Sequence, residues 1–171
     1  MRSFHSLLGF LLVPFLVFGC SPSEDPKVST FRRNFIIASE PGKSVSLTEA
    51  KALLTEEADI ILFGRVGSGK LDPFEKGKAS FVLSEAPAGD HENDNEHDAS
   101  ECPFCKRRAA EAPIASIEFL DESGKPIAIS ADKLLGLKIG QTVVIQGRGI
   151  YVPDLDTLQI NASKLFVRTG G

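Results

Sequence analysis

Tryptophan is absent from this chain of 171 residues, and tyrosine occurs once, at Tyr151. A surface without them is poor in the rings that stack on bases and sugars, although twelve phenylalanines supply core material. A basic surplus is also missing: 19 Lys and Arg stand against 23 Asp and Glu, a formal charge of −4. Nucleic-acid binders carry basic stripes, so a nucleic-acid partner is not expected. Histidine and cysteine are scarce, at three each, and no histidine follows His97. The segments that read as regular structure therefore have no imidazole for a Ser–His pair, and no catalytic residues are assigned. A non-enzymatic role is expected. A second long apolar run is lacking too, so nothing beyond the N-terminus is expected to cross a bilayer.

The one long apolar run extends from Leu7 to Phe18, behind Met1-Arg2. About a dozen residues is short for a bilayer span and suits the h-region of a secretory signal. The run ends Leu16-Val17-Phe18-Gly19-Cys20. These residues resemble the lipobox of bacterial lipoproteins: an aliphatic residue at −3, a small one at −1 and cysteine at +1. The resemblance implies a signal peptide at 1–19, lipidation of Cys20 after cleavage, and anchoring by several acyl chains, which holds where one chain is marginal. Ser21 beside the anchor, where Asp would retain the protein on the inner membrane, implies the outer membrane and a periplasm-facing place in the cell envelope. Cleavage removes residues 1–19 and with them Arg2, so the mature 152 residues carry −5. Residues 20–34 open polar and proline-bearing and read as a flexible, lipidated tether.

Along the rest of the chain, Phe35-Ile36-Ile37-Ala38 reads as a short strand ended by Pro41-Gly42. Ser46-Leu47-Thr48-Glu49 is a capping box, and Leu47, Ala50, Leu53 and Leu54 fall on one helical face running to about Glu57. Residues 35–58 thus form an N-terminal strand and helix. Asp59–Val66 is expected to be a buried strand. Ala79–Ser84 is a second strand, with Phe81 and Leu83 on one face. Ile114–Leu120 is a third. Asp121–Gly124 is a turn, and Ala131–Leu135 a short helix. Thr142–Tyr151 and Leu158–Val167 are two long strands joined by a hairpin turn at 153–156, with Leu158, Ile160 and Ala162 alternating against polar neighbours. Three strands, a helix and a two-strand hairpin is the order of an OB-fold. The expected fold class is therefore all-β, an OB-fold-like five-stranded barrel over 59–171 with a preceding helix and a long loop, 85–113, between strands two and three. Residues 137–147 resemble the fourth-strand region of many OB domains. Asp59–Arg168 as a whole resembles a group of uncharacterised bacterial exported lipoproteins with an OB-fold-like domain, which implies the fold and the anchor and no activity.

The long loop carries the chemistry. It reads Asp90-His91-Glu92-Asn93-Asp94-Asn95-Glu96-His97-Asp98, then Cys102-Pro103-Phe104-Cys105 and Lys106-Arg107-Arg108. Loops so long inside a small domain are usually functional or disordered. His-x5-His before Cys-x2-Cys offers two nitrogen and two sulfur ligands, His91, His97, Cys102 and Cys105, a set that suits tetrahedral zinc and also attracts copper. Alternating carboxylates would raise the local cation concentration. Three other readings compete. A Cys102–Cys105 disulfide in an oxidising compartment would staple the loop with no metal, making the protein an envelope structural or interaction module. Cys-Pro-Phe-Cys also resembles the active-site turn of glutaredoxin-like thiol-disulfide oxidoreductases, where a helix start lowers the first thiol pKa; here an acidic loop precedes it and no thioredoxin-like strand order follows. Cys-x2-Cys-His haem attachment fails because position 106 is Lys.

Three more patterns lead nowhere. Gly64–Lys70 matches a P-loop for seven positions, but Leu71 replaces the magnesium-binding hydroxyl and Asp72-Pro73 stands where the helix should begin. Asp154 and Asp156 fit turn chemistry better than calcium. Periplasmic haem chaperones of OB fold carry a haem-linking His near the end of the barrel, and this chain has none there. The expected function is a membrane-anchored, non-catalytic binding module with a transition-metal site in its His/Cys loop, partnered by the membrane through Cys20 and by an envelope protein.

Overall fold

A computed structural model describes residues 26–67, 72–86, 103, 107 and 113–168. These form one mixed five-stranded sheet with a few short helices, a mainly-β fold. The helices are α1 (Pro26–Phe35), α2 (Leu47–Leu53) and α3 (Ala131–Leu135). The strands are β1 (Ala58–Val66), β2 (Ser80–Ser84), β3 (Ile114–Phe119), β4 (Thr142–Val152) and β5 (Thr157–Val167). Neighbours run in the order β1-β2-β3-β5-β4, and β4 returns to β1, so every strand is paired on both sides. Only β3 and β5 are parallel, from Ile114 opposite Thr157 to Phe119 opposite Ala162.

Period-two alternation decides what is inside. On β1, Ile60, Leu62, Gly64 and Val66 point inward. Ala115, Ile117 and Phe119 do so on β3, and Leu158, Ile160 and Ala162 on β5. β1 reads as continuously apolar, and the structure shows why. Its outward Ile61 and Phe63 are half-buried, because Val45 bonds alongside them (Val45 N–H to the Ile61 carbonyl, 3.0 Å; Phe63 N–H to the Val45 carbonyl, 2.9 Å). The Arg168 guanidinium lies 4.7 Å over the Phe63 ring.

Glycine makes the tight places possible. The β4–β5 ladder shifts register between Gln146 and Gly147. There a Cβ on Gly147 would lie 2.3 Å from the Asn161 carbonyl oxygen. Such a bulge bends and twists the strand, which a sheet closing on itself needs. Gly64, the first residue of the P-loop-like pattern, serves packing as well: its Cβ would meet Leu47 and the Ser84 carbonyl, both at 2.9 Å.

One end of the sheet is plugged by α3, whose Ala131, Leu134 and Leu135 are buried. Gly136 ends the helix in left-handed conformation at φ 72°, its N–H bonded to the Asp132 carbonyl. Against α3 lies α1, where the structure departs from the expectation of a tether over residues 20–34 and a strand over Phe35–Ala38. Instead Pro26–Phe35 is helical, and only Ile36 makes a β-bridge, to Leu165. The segment holds Val28, Ser29 and Thr30, poor helix formers, so propensity alone predicts little. Tertiary contacts stabilise it. Phe35 packs edge-on to the buried Phe119 at 4.9 Å, and Phe31 stacks on Phe35. Arg32 donates to the carbonyls of Leu134 (3.0 Å) and Lys133 (2.9 Å), two of the orphan acceptors at the end of α3.

The opposite end is covered by α2. Its capping box forms as the sequence indicates, with Ser46 and Glu49 bonding reciprocally. The helix stops at Leu53 rather than near Glu57. The Leu54 carbonyl accepts the Tyr151 N–H at 3.1 Å, a bond to β4 in place of another helical turn.

Candidate functional site

Ser84 at the end of β2 stands opposite Ile114 at the start of β3, the last of five consecutive pairs. The intervening segment therefore leaves and re-enters the sheet at one point. His91, His97, Cys102 and Cys105 all belong to it and lie outside the described residues, as does Cys20. Within the segment, Pro103 and Arg107 are described, four positions apart, each with helical backbone and each exposed. Among the described residues no group of three or more His, Cys, Asp or Glu stands close enough to hold a metal. The described residues contain no histidine or cysteine at all.

Where the segment departs, the surroundings are well fixed. The Glu85 carboxylate accepts from the Thr48 backbone N–H (2.8 Å) and the Thr48 hydroxyl (2.9 Å). One turn further along α2, Lys51 donates to Asp156 at 2.5 Å, and its ammonium sits 4.9 Å over the Tyr151 ring. The Tyr151 hydroxyl also donates to Asp156, at 2.7 Å. These hydrogen bonds, Lys51 first and Tyr151 second, hold the Asp156 carboxyl below the ordinary aspartate range. The Asp156 hydrogen bond in turn raises the Lys51 ammonium above the ordinary lysine range. Asp156 takes a left-handed conformation at φ 46° in the β4–β5 turn. Its carboxylate accepts from both Lys51 and Tyr151. Helix α2 thus ties together the root of the His/Cys segment and the β4–β5 turn.

A second feature lies on the outer face of β3, β5, β4 and β1. Glu118 stands opposite Asn161, Asn161 opposite Arg148, and Arg148 opposite Asp59. One row across four strands therefore carries a single guanidinium between carboxylates. Glu57 approaches the same guanidinium at 3.7 Å, with both side chains more than half exposed. The row borders a shallow cleft of about 200 Å³ that includes Ser116 and Gln159. Carboxylates outnumber the cation there, a poor setting for a phosphate backbone. No motif in the sequence marks these residues. Alternation marks each as outward-facing, but only strand register aligns residues 59, 118, 148 and 161.

At the other pole, Arg168 forms a fork to both Glu40 oxygens (3.2 and 2.6 Å) and bonds Ser44 at 3.0 Å, pinning the end of β5 to the chain that leads into α2. The Arg168 hydrogen bond is the leading cause that lowers the Glu40 pKa.

No helix among the described residues is long and apolar enough to cross a membrane. Compared with known protein families and with curated proteins, the chain matches no family model and no curated sequence.

Proposed function

We propose that this chain is a lipid-anchored, non-catalytic binding module of OB type, whose working element is the His/Cys segment between β2 and β3. The OB assignment rests on the ladder order β1-β2-β3-β5-β4 closing on β1, with the helix α3 between β3 and β4. The anchor rests on the residues ending at Cys20. The metal site, zinc or copper on His91, His97, Cys102 and Cys105, rests on the donor set.

The observation that best supports placing function in the segment is the Ser84–Ile114 pair. Five consecutive pairs hold both roots whatever the segment contains. Its ligands can then be arranged, loaded or exchanged without cost to the sheet. A metal bound there would draw on a loop whose two roots already lie side by side, which lowers the closure entropy it must overcome.

The test is elemental analysis with a thiol count on residues 21–171, purified from the periplasm without chelator. About one zinc or copper per chain, with both thiols protected from alkylation until a chelator is added, is the expected result. No metal and no free thiol would overturn the metal site and leave a disulfide-stapled interaction module. Free, unprotected thiols with a lowered pKa and turnover with a dithiol would instead make it a thiol-disulfide oxidoreductase.

A further inference from the structure

The two ends of the sheet differ in charge, and the anchor belongs to only one of them. Helix α1 carries Arg32 and Arg33 in its last turn, and residues 26–36 contain no acidic side chain. It packs on α3, whose exposed Lys133 is followed by exposed Lys138 and by Ile139, which is 65 % exposed. Residues 131–140 carry one acid, Asp132, and the turn leading from β3 towards α3 carries Asp121 and Glu122 beside Lys125, so that the basic surplus comes from α1, α3 and Lys138 and not from that turn. The opposite end, where β1, β3 and β5 begin, has Glu57, Asp59, Glu85, Asp154 and Asp156, with Lys51 engaged by Asp156 and Arg148 by Glu57. β2 ends and β3 begins, at the Ser84–Ile114 pair, on that side of the sheet.

Five residues, and so six Cα–Cα steps, separate Cys20 from Pro26. Fully extended they span about 20 Å at most. With residues 26–34 helical rather than tether, the chain enters the fold at α1 with little slack. The β4–β5 turn lies beyond the full length of β4, eleven residues or about 35 Å away along the strand. A short leash, a basic end and an exposed isoleucine beside it all favour one orientation on an anionic lipid surface, which attracts the α1–α3 end and repels the acidic one.

We propose that the α1–α3 face, through Arg33, Lys133, Lys138 and Ile139, docks on anionic lipid headgroups, so that the anchored protein holds the α2 end of the sheet, with the β4–β5 turn, away from the membrane. This rests on the lipid-anchored reading. The occupant of the face is the lipid surface itself.

The absence of tryptophan supplies a clean probe. Ile139→Trp and Leu155→Trp place single reporters at opposite ends, on side chains that are each 65 % exposed. Each protein, residues 21–171 with a synthetic diacyl tail coupled to its N-terminus, is bound to vesicles whose acyl chains are brominated near the headgroup. Quenching of the Ile139→Trp protein on phosphatidylglycerol vesicles, its loss on phosphatidylcholine vesicles, and none for the Leu155→Trp protein on either is the expected result. Adding Arg33→Glu, Lys133→Glu and Lys138→Glu to the Ile139→Trp protein removes the quenching, with the fold checked by circular dichroism. Equal quenching of both reporters, quenching of the Leu155→Trp protein alone, none for either, or no dependence on lipid charge overturns the proposal. Because the tail is synthetic, these outcomes concern docking alone. Whether the cell acylates Cys20 is read separately from the mass of the N-terminal peptide.

Discussion

Gly147→Ala and Gly149→Ala add the same methyl group two residues apart on β4, and the structure predicts different costs. At position 147 the new Cβ would lie 2.3 Å from the Asn161 carbonyl oxygen and 2.9 Å from the Ala162 Cα. Both are backbone atoms of β5, held on their other side by the parallel ladder to β3. Relief requires moving a strand paired on both sides. Overpacking of this kind costs about 1–3 kcal/mol and at times more. At position 149 the closest atom, also at 2.3 Å, is the Ile160 Cδ1, followed by the Gln159 carbonyl oxygen at 3.2 Å and the Leu54 Cδ1 at 3.3 Å. The severe contact is with the far end of a side chain, and the one backbone contact needs a shift of only a few tenths of an ångström. Turning that side chain about 30° from its rotamer costs about 0.5–1.5 kcal/mol, and replacing a strand glycine by alanine returns about 0.5–1 kcal/mol of backbone entropy. The expected outcome is a loss of about 2–3 kcal/mol for Gly147→Ala and within about 1 kcal/mol of zero for Gly149→Ala. Urea unfolding of residues 21–171, followed by far-ultraviolet circular dichroism, measures both. With an m-value of about 1–3 kcal/mol per molar urea, the first variant should lower the midpoint by about 1 M or more and the second much less. A neutral Gly147→Ala, or a Gly149→Ala at least as costly, would refute the view that close strand approach at the bulge closes the sheet.

Phe119→Ala should cost about 3–5 kcal/mol in the same assay, because the ring is fully buried and contacts both Phe81 and Phe35. It should also loosen α1, seen as faster amide exchange at Phe31–Ile36. Lys51→Met should return the Asp156 carboxyl toward the ordinary aspartate range, followed by carboxyl-carbon NMR. The folded pKa of Asp156 is lowered, so its contribution is present above the unfolded value and lost as pH falls through the folded one. The wild type should therefore lose more stability than Lys51→Met below about pH 4. Arg168→Ala should cost about 1 kcal/mol after allowance for its one-third exposure, since it removes the fork to Glu40 and the contact with Phe63. Replacing Cys102 and Cys105 together by Ser should leave the unfolding free energy within about 0.5 kcal/mol of the metal-free parent while abolishing metal uptake, because neither cysteine belongs to the paired stretch of β2 and β3.

How much of this protein was legible along the chain differs by element. The five strands and α3 were readable within a residue or two, because alternation on β3 and β5 and the turns around them are local signals. The α2 capping box was readable for the same reason. The candidate ligands His91, His97, Cys102 and Cys105 and the candidate lipidation residue Cys20 rest on spacing along the chain alone and lie outside the described residues. Helix α1 was not legible, since its order comes from Phe35 against Phe119 and from Arg32 on the carbonyls of α3, about a hundred residues away in sequence. Nor was the Glu118–Asn161–Arg148–Asp59 row, because register between strands is set by the bulge at Gly147 and by core packing, not by any one strand. Sequence alone determined which segments pair an apolar face with a polar one, and which stretch carries the metal-type donors. Only the tertiary structure decided which distant residues meet, and so which end of the sheet is basic, which is acidic, and from which end the His/Cys segment departs. Contacts across long sequence separation depend on the closure of the whole sheet, and no local pattern encodes it.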